Sequence, residues 1–282
     1  MTKQTLREWQ MKSIEVGVIQ MAKKIPITRF PDAATVTYSR ALRKMVGELG
    51  DETIALFEKY IEPELAIRQD SQEFSNDGLF DSLKKMLKSL KNKAKKVFAP
   101  GKNERVAQTF INSVNRFNRH NLEQQMRVKE INLATNETWL PSFLKSKIKD
   151  NVGYIETIEV EYFADIEEIV NAGVEKGSSI KEIRQQLMAR VEVTQNRAQF
   201  IAIDQAGSIL GQMTAKRHQN IGIERFKWLT SKDERVRETH KELNNEVFPY
   251  SDPPEVNGRI VIPGEDYRCR CVAIPVFDDE DE

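Results

Sequence analysis

Hydrophobic positions recur at steps of three and four along most of the first 220 residues, a spacing that predicts amphipathic helices. Val36, Leu42, Met45, Val46 and Leu49 form one stripe, opened by the capping candidate Asp32 and closed by Gly50. Ile54, Leu56, Phe57, Tyr60 and Ile61 form a second, between Asp51 and Pro63. The polar, turn-rich run from Ser71 to Gly78 predicts a loop. Leu83, Met86, Leu87, Leu90, Ala94, Val97 and Phe98 then share one face of a helix capped by Asp81 and ended by Pro100-Gly101. Val106, Phe110, Val114, Phe117, Met126 and Val128 carry the period onward, to a stop near Pro141. Trp9 and Trp139 read as core or interface anchors, since large aromatics mostly bury area.

Beyond Asn151, Ile158, Tyr162, Phe163, Ile166, Ile169 and Val170 keep helical steps among Glu156, Glu159, Glu161, Asp165, Glu167 and Glu168. That even spacing predicts an outward, solvated row of carboxylates. Ser178 or Ser179 caps a helix with Ile180, Ile183, Leu187 and Met188, and a longer one runs from Thr194 to about Asn220. Gly207 and Gly211 fall four apart on the latter, which predicts close packing of another helix.

After Gly222 the texture changes. Glu224 to Thr230 alternates as a strand does, Asp233 to Leu243 predicts a short helix, and a loop rich in proline follows. Arg259 to Ile262 and Cys269 to Phe277 are β-branched enough for two more strands. The expected fold is therefore a mainly α-helical N-terminal part with a small α+β C-terminal domain, helices covering a short sheet. The chain divides into a helical region over 1–80, a basic helical region over 81–150, a C-terminal domain over 151–277 and an acidic tail over 278–282. No repeat of fixed period occurs.

Composition adds little until charge is counted by segment. The 282 residues carry 43 basic and 43 acidic side chains, a balance that by itself argues against a nucleic-acid partner. Met1 to Leu83, however, holds 11 basic and 13 acidic residues, Lys84 to Lys149 holds 16 and 4, and Asp150 to Glu282 holds 16 and 26. Neutrality is a cancellation. Lys84, Lys85, Lys88, Lys91, Lys95 and Lys96 cover the polar surface of the 81–98 helix, and cations so spread can neutralise phosphates without reading bases. The alternatives are a solvated helix face or an anionic protein or membrane surface. Few aromatics interleave, so stacking on single strands is not supported. No apolar run approaches the ~20 residues of a membrane-spanning helix, and Met1 to Gln10 does not read as a secretory signal.

Chemistry-bearing motifs are scarce. Walker-type loops, dinucleotide fingerprints, nucleophile elbows and paired-histidine zinc motifs are all absent. His240 with Cys269-Arg270-Cys271 is the constellation of interest, both thiols facing one side if they lie on a strand. A buried thiol pair beside a hydrogen-bonded histidine is the favoured reading. A zinc site completed by Asp233, Asp252 or Asp266 is the alternative, and a Cys–His nucleophile has no orienting group. No catalytic residue, metal or cofactor is therefore expected. His120 and His218 stand alone in polar helical surroundings.

The same segment carries a family resemblance. Phe226-Lys-Trp228-Leu-Thr230, Asp233, Arg235-Val-Arg237, His240 and Leu243 are followed by Pro263-Gly264-Glu265, Cys269-Arg270-Cys271 and Ile274-Pro275. In that order they resemble the phage Mu protein F-like domain of head morphogenesis, or minor head, proteins of tailed bacteriophages. The likeness runs from about Val174 to Phe277, with Asn244-Asn245 where the family often turns through glycine; asparagine tolerates the left-handed conformation that such a turn needs. The resemblance implies a structural, non-enzymatic protein in the virion, inside the phage head near the portal and made in the host cytoplasm. Implied partners are a portal protein, a scaffold or major capsid protein, and double-stranded DNA bound non-specifically. The competing expectations are a metal-dependent nucleic-acid-processing or toxin-like protein using His240, Cys269 and Cys271, and a membrane-active ejection protein using the basic helix.

Overall fold

A computed structural model describes residues 25–70, 76–131 and 136–277. Trp9, the N-terminal stretch and the acidic tail lie outside the described residues. Among the described residues six long helices come first: α1 (Asp32–Tyr60), α2 (Glu62–Asp70), α3 (Asn76–Val97), α4 (Pro100–Val128), α5 (Leu140–Glu175) and α6 (Ile180–Asn220). The C-terminal part adds β1 (Arg225–Leu229), the short α7 (Glu238–Glu242), β2 (Val247–Pro249), β3 (Glu255–Val256), β4 (Arg259–Ile260) and β5 (Val272–Val276). The mainly helical chain with a small C-terminal α+β part is thus as expected.

Helix continuity differs from the sequence reading. The two stripes split at Gly50 belong to one helix, α1, with Pro31 and not Asp32 at its N-cap. Gly50 sits mid-helix because α1 crosses α6 there: a Cβ on it would lie 2.7 Å from Val191 Cγ1. Close approach, not chain termination, explains that glycine. Similarly the two helices expected after Ser178 are one, α6, of 41 residues. Its start follows the sequence: Ser179 Oγ accepts from the Glu182 N–H, and Glu182 returns a carboxylate to the Ser179 N–H at 2.7 Å. Pro141 lies in the first turn of α5 instead of stopping the preceding helix, a position where its missing N–H costs nothing. Asp81 is interior to α3, which starts at Asn76; of the expected Ser71–Gly78 loop, 71–75 are outside the described residues and 76–78 are helical.

One apolar cluster joins all six long helices, from Tyr38 and Leu42 on α1 to Ala206 and Leu210 on α6. On α3 the expected stripe turns inward, with Leu83, Met86, Leu90, Ala94 and Val97 buried. A second cluster, around Phe226, Trp228, Tyr250, Val261, Cys269 and Cys271, fills the C-terminal part and reaches Leu122 and Met126 on α4. Residues 25–31 tie the two together, since Thr28 Oγ1 donates to Ala273 O and accepts from the Gln125 side chain at 2.8 Å.

The main sheet is antiparallel in the order β2-β1-β5, with Phe226 opposite Phe248 and Pro275, and Trp228 opposite Ala273. On β1, Phe226 and Trp228 are buried and their neighbours less so, the period-two pattern of a half-covered strand. Asn245 takes φ 73°, the left-handed turn expected for the Asn244-Asn245 step, while Asn244 Oδ1 accepts from Thr230 N–H and Oγ1.

The expected outward row of carboxylates on α5 is only partly outward. Glu156, Glu167 and Glu168 face solvent, whereas Glu161 and Asp165 are half-buried and pair with Arg197 and Arg190 of α6. Opposite charges across a helix seam keep these carboxylates from facing outward.

Candidate functional site

The residues singled out at the C-terminus converge from three pieces of chain. Trp228 comes from β1; Asp233, Arg237 and His240 from the turn and short helix after it; Pro263 to Cys271 from the loop before β5. Cys269 and Cys271 therefore precede the strand instead of lying on it. They face the same histidine because the loop is pinned, not because of strand pleating.

The pinning is done by α6. Gly207 and Gly211 receive the backbone of the 263–269 loop, not another helix: a Cβ on Gly207 would stand 2.4 Å from Cys269 O, and one on Gly211 2.3 Å from Pro263 O. Gly264 answers with φ 99°, a conformation open to glycine. Arg268 adds a hook, its N–H donating to Asp204 Oδ1 at 3.0 Å and its guanidinium lying 3.7 Å over the Phe200 ring. Gly211→Ala is expected to cost about 1–3 kcal/mol, because its neighbour is backbone that cannot swing away. Gly153→Ala on α5, where a Cβ meets nothing within 4 Å, is expected to stabilise by roughly 0.5–1 kcal/mol. Urea melts of the two variants check both signs.

Charged side chains brace the loop against the segment after β1. Arg237 donates to Asp266 Oδ2 and, at 2.7 Å, to Tyr267 O, and Arg270 pairs with Asp233, whose Oδ1 accepts from the Arg235 N–H. Asp266 Oδ2 also lies 3.1 Å from His240 Nε2. That contact turns His240 Nδ1 toward the thiols, 3.6 Å from Cys269 Sγ and 3.5 Å from Cys271 Sγ. The Cys271 N–H points at Cys269 Sγ at 3.4 Å. His240, Cys269 and Cys271 are each at most 4% exposed, and the Trp228 ring meets the His240 ring edge-on at 5.5 Å.

The electrostatics follow from this geometry. The Cys271 thiol, then His240 and the Cys271 N–H, hold Cys269 well below an ordinary thiol, while the same contact with Cys269, and then burial, push Cys271 up. His240 is raised, first by its hydrogen bond to Cys269 and then by the charges of Cys269 and Asp266. No carboxylate among the described residues joins the three donor atoms. Asp266, one of the expected fourth ligands, instead holds the far nitrogen of His240.

The cluster forms one wall of a cleft of about 930 Å³. Its other walls bring Arg40, Arg43 and Lys44 of α1, with Arg235, Arg268 and Arg270, toward the same space. These α1 cations escaped the sequence reading, because only the crossing of α1 and α6 carries them to the C-terminal loops. The lysines of the basic helix lie elsewhere. Lys84, Lys85, Lys88, Lys91, Lys95 and Lys96 are all exposed on α3, and Lys84 alone among them lies near a described carboxylate, Asp81 at 3.8 Å. His218, far from standing in polar surroundings, is buried with Nδ1 2.6 Å from Tyr250 Oη.

Comparison with known proteins bears on this segment. Residues 164–274, the stretch that carries the Trp228 to Cys271 motif, match the family described as Phage Mu protein F like protein. An uncharacterized protein of Haemophilus influenzae is 36% identical over 132 residues, covering 47% of this chain and 29% of that protein. An uncharacterized protein of Methanocaldococcus jannaschii is 30% identical over 112 residues, covering 39% of this chain and 17% of that protein. The chain thus spans less than a third of either relative. No solved structure matches it.

Proposed function

We propose that this protein is a minor head protein of a tailed bacteriophage, a non-enzymatic component that acts in head morphogenesis. The observation that carries the reading is the match of residues 164–274 to the Mu F-like family, together with the folding of its motif residues into one braced unit. In this reading the protein is built into the procapsid at or near the portal vertex, and a portal, scaffold or major capsid protein is its partner. The six exposed lysines of α3 face packaged double-stranded DNA and hold it by phosphate contact without reading sequence. No helix among the described residues is long and apolar enough to cross a membrane.

The test is binding of the purified protein to two unrelated DNA duplexes across a salt series. Equal affinity for both is expected, falling roughly 10³-fold between 50 and 200 mM salt if all six lysines engage phosphates. Changing the six lysines to glutamine is expected to flatten that dependence, with helicity by circular dichroism unchanged because their side chains leave the core. Full binding by that variant overturns the assignment of DNA contact to α3. Copy counting of the protein with portal in isolated procapsids tests the location.

A further inference from the structure

The role in the head does not account for His240, Cys269 and Cys271. A buried thiol pair packed only for its apolar character has no need of a third soft donor against both sulfurs. Here a histidine nitrogen supplies one. His240 Nδ1, Cys269 Sγ and Cys271 Sγ all lie within 4.8 Å of one another, and the two S–N separations are 3.6 and 3.5 Å. Zinc bonds of about 2.3 Å to sulfur and 2.0–2.1 Å to nitrogen, set at the tetrahedral angle, place sulfur and nitrogen about 3.6 Å apart. The two sulfur–nitrogen separations already match those edges of a zinc tetrahedron.

The surroundings match as well. A metal-bound imidazole characteristically gives its other nitrogen to a carboxylate, which fixes the ring and raises its basicity. Asp266 Oδ2 stands in that position at 3.1 Å from His240 Nε2, and Arg237 holds Asp266 in turn. The Cys271 N–H points at Cys269 Sγ, as a backbone donor to a thiolate does. Two thiolates and a neutral imidazole would cancel the ion's charge, so burying the group leaves no net charge to compensate. Soft sulfur donors select zinc over magnesium or calcium.

We propose that His240 Nδ1, Cys269 Sγ and Cys271 Sγ bind one zinc ion whose fourth position opens into the cleft between α1 and the C-terminal loops. No described carboxylate joins the three donors, and three protein ligands with a free position are the arrangement of zinc sites that take an exogenous ligand. Arg40, Arg43, Lys44 and Arg235 line the cleft, so water or an anionic oxygen donor occupies that position. The site belongs to the Mu F-like unit but does not depend on where in a virion that unit acts.

The experiment is metal analysis of the full chain purified under reducing conditions, followed by exchange with cobalt(II). One zinc per chain is expected, and the cobalt form is expected to show thiolate-to-metal charge transfer in the near ultraviolet and strong tetrahedral visible bands. Added azide is expected to shift the visible bands by entering the free position. Asp266→Asn, which keeps the shape of the site, is expected to weaken zinc binding 10–100-fold. Cys269→Ser with Cys271→Ser is expected to abolish it. Failure of the reduced wild-type protein to bind stoichiometric zinc, or a cobalt spectrum without sulfur charge transfer, overturns the site. Zinc retained by the folded double variant also overturns it, and bands indifferent to azide overturn the open position. Because the cobalt spectrum is read on wild-type protein, the result stands even if the cysteine variants fail to fold.

Discussion

Replacing Glu137 with alanine is expected to destabilise the protein by about 3–5 kcal/mol, the cost of leaving a buried guanidinium without its counter-charge. Arg217 on α6 is 2% exposed. Its Nε and Nη2 donate to the two Glu137 oxygens at 2.7 and 3.1 Å, a bidentate pairing, and the remaining donors reach Asn118 Oδ1 at 2.6 Å and Asn115 Oδ1 at 2.7 Å. A further donor reaches the Asn115 backbone carbonyl at 3.3 Å, and Glu137 supplies the only charge among these hydrogen-bonded acceptors. Arg119 lies 3.5 Å from the same carboxylate but is more exposed, so water can compensate it. Arg217→Met, which removes the buried cation, is expected to cost less in the Glu137→Ala background than in the wild type. Denaturant melts of the two single variants and the double measure that coupling. Additive losses would show that the pair is not coupled.

Neither Arg217 nor Glu137 stood out in the sequence, and the reason is physical. Hydrophobic period reports which face of one helix is covered, and it placed Leu83, Met86, Leu90 and Val97 inside correctly. It is silent on polar groups whose partners come from 80 residues away, as Glu137 does for Arg217. The same limit explains His218, whose partner Tyr250 belongs to the loop after β2. Glycines were misread for a related reason. Alone, Gly50 looks like a helix stop and Gly207 with Gly211 like a seam for a second helix. Their role is set by what crosses them, Val191 in the first case and the 263–269 backbone in the second.

The C-terminal site was more legible, because its donors are chemically distinctive whatever their distance. Histidine and a Cys-x-Cys step could be singled out together, although the strand thought to align the thiols begins only at Val272. What sequence did not supply was the wall opposite. The cleft depends on α1, whose lining cations lie more than 220 residues upstream of the cysteines, being held against α6 by the continuous helical core. That arrangement also separates the two cationic surfaces of the molecule. The α3 lysines lie exposed along one helix, whereas Arg40, Arg43 and Lys44 line a cleft. Charge counted by segment found the first surface and missed the second.

Acid is expected to weaken the folded state in two distinguishable stages, the first caused by His218. Burial holds its pKa at about 3, against an ordinary 6.5, since protonation would place a charge on an imidazole whose Nε2 has no described partner. The sign follows directly. An unfolded chain takes up the proton as pH falls through 6.5 while the folded chain refuses it, so stability is complete above 6.5 and drops by about 1.4 kcal/mol per unit below. By pH 3 the loss reaches roughly 4 kcal/mol. Although burial opposes its ionisation, Glu137 is held below its ordinary 4.5 by Arg217, so its contribution disappears only below that value. His240 acts in the opposite sense, its raised pKa adding stability below 6.5 in metal-free protein. His218→Asn, which keeps a polar atom near Tyr250 Oη, removes the first stage alone. Urea melts between pH 4.5 and 7 are therefore expected to show a steeper acid-side loss in the wild type than in His218→Asn. Parallel profiles would mean that His218 takes up its proton in the folded protein.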